Sequence, residues 1–147
     1  TPMLIGISAL VSTELLKVLS SMGHGDEIVF ADAHFPAESL GPRCVRADGL
    51  KINDLLDAII PLFALDDFVP TPATMMATVK GDNANNEIET AYTKIINRHY
   101  DKEVTIEKLE RFDFYERSRS AFAIVASGDT EKYANIILKK GVTPFPQ

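Results

Sequence analysis

Two of the 3 histidines in this chain stand either side of one short apolar run. The segment reads Met22-Gly23-His24-Gly25-Asp26-Glu27-Ile28-Val29-Phe30-Ala31-Asp32-Ala33-His34-Phe35-Pro36. An apolar run of that length, bounded by turn residues, predicts a buried strand over Ile28–Ala31. Imidazoles and carboxylates gathered at the ends of a buried strand are the groups that acid–base chemistry requires. Gly23 and Gly25 strip side-chain bulk from both sides of His24, which opens it to close approach. The bland alternative for His24 is a partner of a helix C-terminus, or a hydrogen-bonded surface group. Asp32 and His34 are spaced i, i+2 and fall on one side of an extended segment. With His24 and Asp26 they resemble metal ligands, because a catalytic site needs about three such groups and an open position. No local spacing enforces that geometry, so no metal is expected.

Further along, Glu110-Arg111-Phe112-Asp113-Phe114-Tyr115-Glu116-Arg117 sets an arginine and a tyrosine about a strand-to-helix junction. Together they make a hydroxyl-binding pair, against the alternative of a surface ion pair between Arg111 and Glu110 or Asp113. Phe112 and Phe114 are expected in the core. Tyr133-Ala134-Asn135 follows a Gly-Asp turn and offers donors and acceptors suited to a polyol, or else Asn135 simply caps a turn. Lys139-Lys140 predicts a solvated strand end, and Arg46-Ala47-Asp48-Gly49 a turn held by an Arg–Asp contact. The step Leu65-Asp66-Asp67, after the second helix, reads ambiguously.

The elements that must position these groups alternate in type. Ser12 predicts an N-cap, and Leu15, Leu16, Leu19 and Met22 recur at helical spacing up to Gly23. A second helix is expected over Asn53–Leu62, a strand over Met75–Val79, and a turn over 81–86 in which Asn85 or Asn86 caps a third helix carrying Ile88, Tyr92, Ile95 and Ile96. A strand near Ile106–Phe112, a helix near Phe114–Ser120, a strand over Phe122–Ala126 and a last apolar run, Ile136–Leu138, complete the pattern. Mixed helices and buried strands without repeat or linker predict one three-layer α/β/α domain, spanning 1–147, with a central mixed sheet.

Composition narrows the classes. A chain of 147 residues that is 46% hydrophobic can bury a sizeable core. Its net charge of −6 supplies no basic stripe for nucleic acid. It has no apolar run long enough for a membrane span and no secretory pattern, and a single cysteine, Cys44, suits a reducing, cytoplasmic setting. CxxC, HExxH, P-loop and GxGxxG signatures are absent from the sequence, so no cofactor is expected. The residues alone predict an α/β protein with an acidic, hydroxyl-accepting pocket.

The motifs Met22–Pro36, Arg46-Ala47-Asp48-Gly49-Leu50, Arg111–Arg117 and Tyr133-Ala134-Asn135-Ile136-Ile137-Leu138 together resemble the sugar mutarotase family, which has an L-fucose and a D-ribose branch. The likeness runs from Leu15-Leu16 to Gly141-Val142-Thr143, and the first and third motifs look like the fucose branch. It implies interconversion of L-fucose anomers without a cofactor, with a ring-like homo-oligomer, a decamer in some members. It implies His24 as proton donor and Tyr115 as a second catalytic residue. Asp32, Asp66, Arg111, Tyr133 and Asn135 match sugar-contacting positions, with the Ala134 backbone between the last two. Fucose members usually carry Tyr-Gly-Asn there, and Tyr-Ala-Asn is the ribose form, so the added methyl is expected to trim the pocket. Phe35 and the Phe112, Phe114 and Tyr115 cluster offer apolar surface for a 6-deoxy methyl group. A ribose-type pyranase, a non-catalytic sugar-binding oligomer and a metal hydrolase built on His24, Asp32 and His34 stand as alternatives. With 26–31 extended, His24 and Asp32 should lie roughly 17–20 Å apart, further than a monosaccharide reaches. Either the His24 loop folds back or neighbouring subunits share the site.

Overall fold

The computed structural model describes residues 4–79, 81, 86–100 and 102–144. Helix α1 spans Thr13–Ser21. Its cap is the expected one: the Ser12 hydroxyl accepts the Leu15 N–H at 3.1 Å, satisfying a donor that the first turn leaves orphaned. Strands β1 (Glu27–Ala31) and β2 (Arg43–Ala47) follow, then α2 (Ile52–Ile59), which tightens into a 3-10 turn at Ile60–Leu62 around Pro61. After these come β3 (Ala73–Met76), α3 (Asn86–His99), β4 (Ile106–Leu109), α4 (Arg111–Arg119), β5 (Ala123–Ser127) and β6 (Ile136–Lys139).

The six strands form one sheet in the order β2-β5-β1-β6-β3-β4. β2, β5 and β1 are mutually parallel, as are β3 and β4, while β6 runs antiparallel to β1 on one side and β3 on the other. Alternate residues of each strand face opposite layers. Ile28, Phe30, Ile136 and Leu138 pack with Leu15 and Leu19 of α1, Leu55 and Leu56 of α2, and Tyr92 and Ile96 of α3. Val29, Ala31, Ile124 and Ile137 face the other way, onto Phe114 of α4 and the Phe35–Ala37 loop. The three-layer α/β/α domain with a mixed sheet is therefore what forms. Among the described residues no helix is long and apolar enough to cross a membrane.

Three local expectations change. β2 forms where no strand is expected, because its arginines break the apolar pattern, and its last two residues belong to the expected turn at Arg46–Gly49. It is an edge strand, where charge is the usual guard against stray pairing. Arg43 lays its guanidinium 4.0 Å over the Phe122 ring, while Arg46 makes the expected contact, with Nη2 donating to Asp48 Oδ1 at 2.6 Å. β3 begins and ends earlier than Met75–Val79. β4 stops at Leu109 because Glu110 caps α4, its carboxylate accepting the N–H groups of Phe112 and Asp113 at 3.0 and 3.3 Å. Starting the helix there turns Phe112 outward, 64% exposed, while Phe114 is fully buried. Of the caps expected for α3, Asn85 lies outside the described residues and Asn86 is already the first residue of the helix.

Candidate active site

Because β6 is antiparallel to its neighbours, its N-terminal end meets the C-terminal ends of β1 and β3. α4 begins just past the C-terminal end of β4, which runs parallel to β3. A cavity of about 390 Å³ opens at this edge, and it takes Asp32, Arg111, Tyr115, Tyr133 and Asn135 into its lining. That volume is within the range of small-molecule sites.

Asp32 follows β1 directly and is buried. Its N–H donates to Asn135 Oδ1 at 2.7 Å, and its own Oδ1 accepts the His34 N–H at 2.9 Å. Burial pushes the Asp32 carboxyl above the ordinary carboxylate value, and the hydrogen bond from the His34 backbone opposes that shift only in part. Tyr133 holds a left-handed backbone, φ 61°, a conformation costing a non-glycine residue on the order of 1 kcal/mol or more. Its hydroxyl accepts the Val79 N–H at 3.4 Å. Arg111 and Tyr115 stand one turn apart on α4, which brings them to one face. The guanidinium lies 5.8 Å from the Tyr115 ring centre, and Phe35 packs edge-on against the same ring at 5.5 Å. Arg111 thus opens the helix rather than ending the strand, and Glu110 is occupied as the cap.

Ala134 does not line this cavity. It is buried in the main core, and its carbonyl accepts the Tyr92 O–H at 2.7 Å. The methyl group expected to trim the pocket therefore points into packing on the other side of the strand.

His24 and Asp66 are also elsewhere. His24 sits in the turn between α1 and β1, at the opposite end of the strand from Asp32. Gly25, at φ 89°, makes that turn in a conformation other residues resist. His24 Nε2 lies 3.1 Å from Asp66 Oδ1, with the histidine side chain 45% exposed and the aspartate 5%. The same Oδ1 accepts the Phe68 N–H at 3.0 Å. The Phe68 ring sits 5.0 Å from the imidazole and is 74% exposed. A carboxylate only accepts, so the Nε2–H donates to it and Nδ1 is left as the nitrogen free to carry a proton to or from a ligand. His24, Asp32 and His34 do not converge, and among the described residues no group of three potential ligands is placed to hold a metal. Lys140, expected in solvent, instead turns its ammonium beneath the His24 loop.

One chain therefore carries two separate groups of candidate residues, at opposite ends of the strands. One is a cavity of hydroxyl-matched groups around a buried carboxyl and a tyrosine. The other is a half-exposed imidazole oriented by a buried carboxylate beside an exposed aromatic ring. Met76 and Lys132 also line the cavity. Sequence offered no sign of either, beyond Lys132 adjoining Tyr133.

Comparison with solved structures bears on the fold and the family. A fucose mutarotase from Streptococcus pneumoniae, solved in complex with L-fucose, is 48% identical, with a TM-score of 0.91 over 96% of this chain and 100% of that one. FucU from Bifidobacterium longum is 45% identical, with a TM-score of 0.91 over 95% and 99%. RbsD from Bacillus subtilis, complexed with D-ribose, is 25% identical, with a TM-score of 0.74 over 91% and 95%. The model of the RbsD / FucU transport protein family matches residues 5–143, nearly the full length, and the chain belongs to that family.

Proposed function

We propose that this protein is an L-fucose mutarotase, an isomerase that interconverts the α and β anomers by opening and closing the pyranose ring. The observation that carries this is the cavity at the C-terminal ends of β1 and β3, where Asp32, Arg111, Tyr115, Tyr133 and Asn135 present a hydroxyl-matched lining. Similarity to the fucose mutarotase of S. pneumoniae, at 48% identity against 25% for the ribose-complexed RbsD, favours fucose over ribose.

Ring opening needs one group to take the proton from the anomeric hydroxyl and another to deliver a proton to the ring oxygen as the C1–O bond breaks. The aldehyde then rotates about C1–C2, and closure from the other face returns both protons. His24 serves as general acid and Tyr115 as its partner. Asp32, Arg111, Tyr133 and Asn135 hold the hydroxyls, and Asp66 orients the imidazole while its second oxygen takes a sugar hydroxyl. Positioned acid–base groups contribute roughly 10²–10⁴-fold, which suits a reaction that also proceeds unaided.

His24 and Tyr115 lie at opposite ends of the strands, so each complete centre combines the His24 half of one subunit with the cavity half of another. The working form is a head-to-tail homo-oligomer, and a ring satisfies every half-site. Phe68 and Phe112, both exposed in the single chain, fit burial at that junction.

The test is exchange between the α and β H1 resonances of L-fucose, followed by magnetisation transfer with D-ribose and D-galactose alongside. Acceleration should be greatest for fucose. His24→Ala should lose it by roughly 10²–10⁴-fold while keeping its circular dichroism. Thermal stabilisation by fucose without faster exchange would make the protein a non-catalytic sugar binder and end the proposal.

A further inference from the structure

His24 stands on a loop, and a general acid must be held to a fraction of an ångström. The described contacts identify what holds it. Helix α1 ends at Ser21 with no basic residue in its last turn, which leaves terminal carbonyls in want of donors. The Lys140 ammonium supplies them, donating to Leu19 O at 2.9 Å and Met22 O at 2.6 Å. A cation there is also favoured by the helix dipole. The main chain of the same residue grips the other side of the turn: Lys140 N–H donates to Asp26 O, and Gly25 N–H donates to Lys140 O, both at 2.8 Å. His24 is therefore bracketed by four hydrogen bonds to one residue.

The partner of His24 is registered on the same stretch of strand. Asp66 N–H donates to Lys139 O at 3.0 Å, and Gly141 N–H to Ala64 O at 2.7 Å. A Cβ at Gly141 would fall 2.5 Å from Leu65 O and 2.8 Å from Asp66 Cα, so glycine is what lets the two segments close. The loop bearing the imidazole and the segment bearing its carboxylate thus share the end of β6 as a common strut.

We propose that Lys140 is a positioning residue for His24, its ammonium fixing the loop so that the imidazole keeps its hydrogen bond to Asp66 and its aim at the sugar. The inference rests on the mutarotase assignment for its kinetic consequence but not for its structural one. Lys140 itself touches neither His24 nor, on this account, the substrate. Its loss should act on the chemical step, not on sugar affinity.

The experiment compares wild type with Lys140→Met, which keeps the stem and removes the ammonium. Kinetics are read from fucose anomer exchange, and the imidazole is read from its ¹⁵N resonances, readily resolved among 3 histidines. Lys140→Met should lower kcat by roughly 10–100-fold with KM within about twofold, as removal of aim without removal of binding predicts. The His24 Nε2 signal should lose the shift of a nitrogen hydrogen-bonded to a carboxylate, while the His34 and His99 signals stay in place. Lys17→Met, on the exposed face of α1, controls for loss of a positive charge and should alter neither readout. Should Lys140→Met not fold, Lys140→Gln takes its place. Its shorter amide reaches at most one carbonyl, and it should show the same split to a smaller degree. A wild-type kcat and an unmoved His24 resonance in a folded Lys140 variant overturn the proposal, as does a rise in KM that accounts for the whole loss. If wild type accelerates no sugar, the mutarotase assignment fails, and the nitrogen spectrum alone still decides whether Lys140 holds the imidazole.

Discussion

Co-assembly of two inactive variants, His24→Ala and Tyr115→Phe, is expected to restore mutarotation that neither has alone. The reason is the length of β1. Its 5 residues rise about 3.3 Å each, so about 16 Å of strand separates the His24 turn from the Asp32 end of the cavity. A single sugar ring does not bridge that, so in the proposed assembly each centre draws its imidazole and its tyrosine from different subunits. Alone, His24→Ala should fall by roughly 10²–10⁴-fold, and Tyr115→Phe by a comparable factor. In a random equal mixture, a centre is intact only when its imidazole comes from the Tyr115→Phe chain and its tyrosine from the His24→Ala chain. Each condition is met half the time, so about a quarter of wild-type activity should return. The two chains would be co-expressed with different affinity tags, mixed oligomers isolated through both, and anomer exchange of L-fucose measured per subunit. Mixed oligomers no faster than the average of the two parents would refute the shared centre, and with it the geometric argument from β1.

Two other outcomes follow from the cavity. Because burial holds the Asp32 carboxyl above its ordinary value of 3.8, the folded chain binds that proton more tightly than the unfolded one, and stability falls as pH climbs through the raised value. Asp32→Asn, which keeps the Oδ1 acceptor for His34, should therefore be more stable than wild type at neutral pH and lose that advantage on acidification toward 3.8, while losing sugar affinity; urea midpoints across pH that never favour the variant would contradict this. Asn135→Ala removes the acceptor of the buried Asp32 N–H and should cost about 1–3 kcal/mol in denaturant unfolding, with a raised KM for fucose, and an unaltered midpoint would show that bond to be dispensable.

What could be foreseen was what is encoded locally. Ser12 with its leucines announces α1, and Ile28–Ala31 announces a strand whose length alone separates His24 from Asp32. The pattern failed where a distant contact decides. Arg43 and Arg46 hid β2 because edge strands carry charge. Phe112 is expected inside, yet the Glu110 cap starts α4 at Arg111, ahead of the expected Phe114, and so rotates Phe112 into solvent. The Ala134 methyl was expected in the pocket, but its direction depends on which face of the sheet β6 gives to the α2 and α3 layer. Lys140 looked like a solvated end because nothing adjacent in sequence reveals that the last turn of α1 lies within reach of its ammonium. Asp66 carried no local signal at all; its relevance came only from the likeness to a family, and its partner only from the fold.

The antiparallel placement of β6 has a price at the level of assembly. Its pairings with β1 and β3 must be in register together, and a slip of one position would exchange Ile137 with its neighbours between the two hydrophobic layers. Such a slip would displace Asn135 at one end and Lys140 at the other in the same movement. In the proposed closed circle of subunits, each lending one end to the left and one to the right, a single misthreaded member would silence two adjacent centres rather than one.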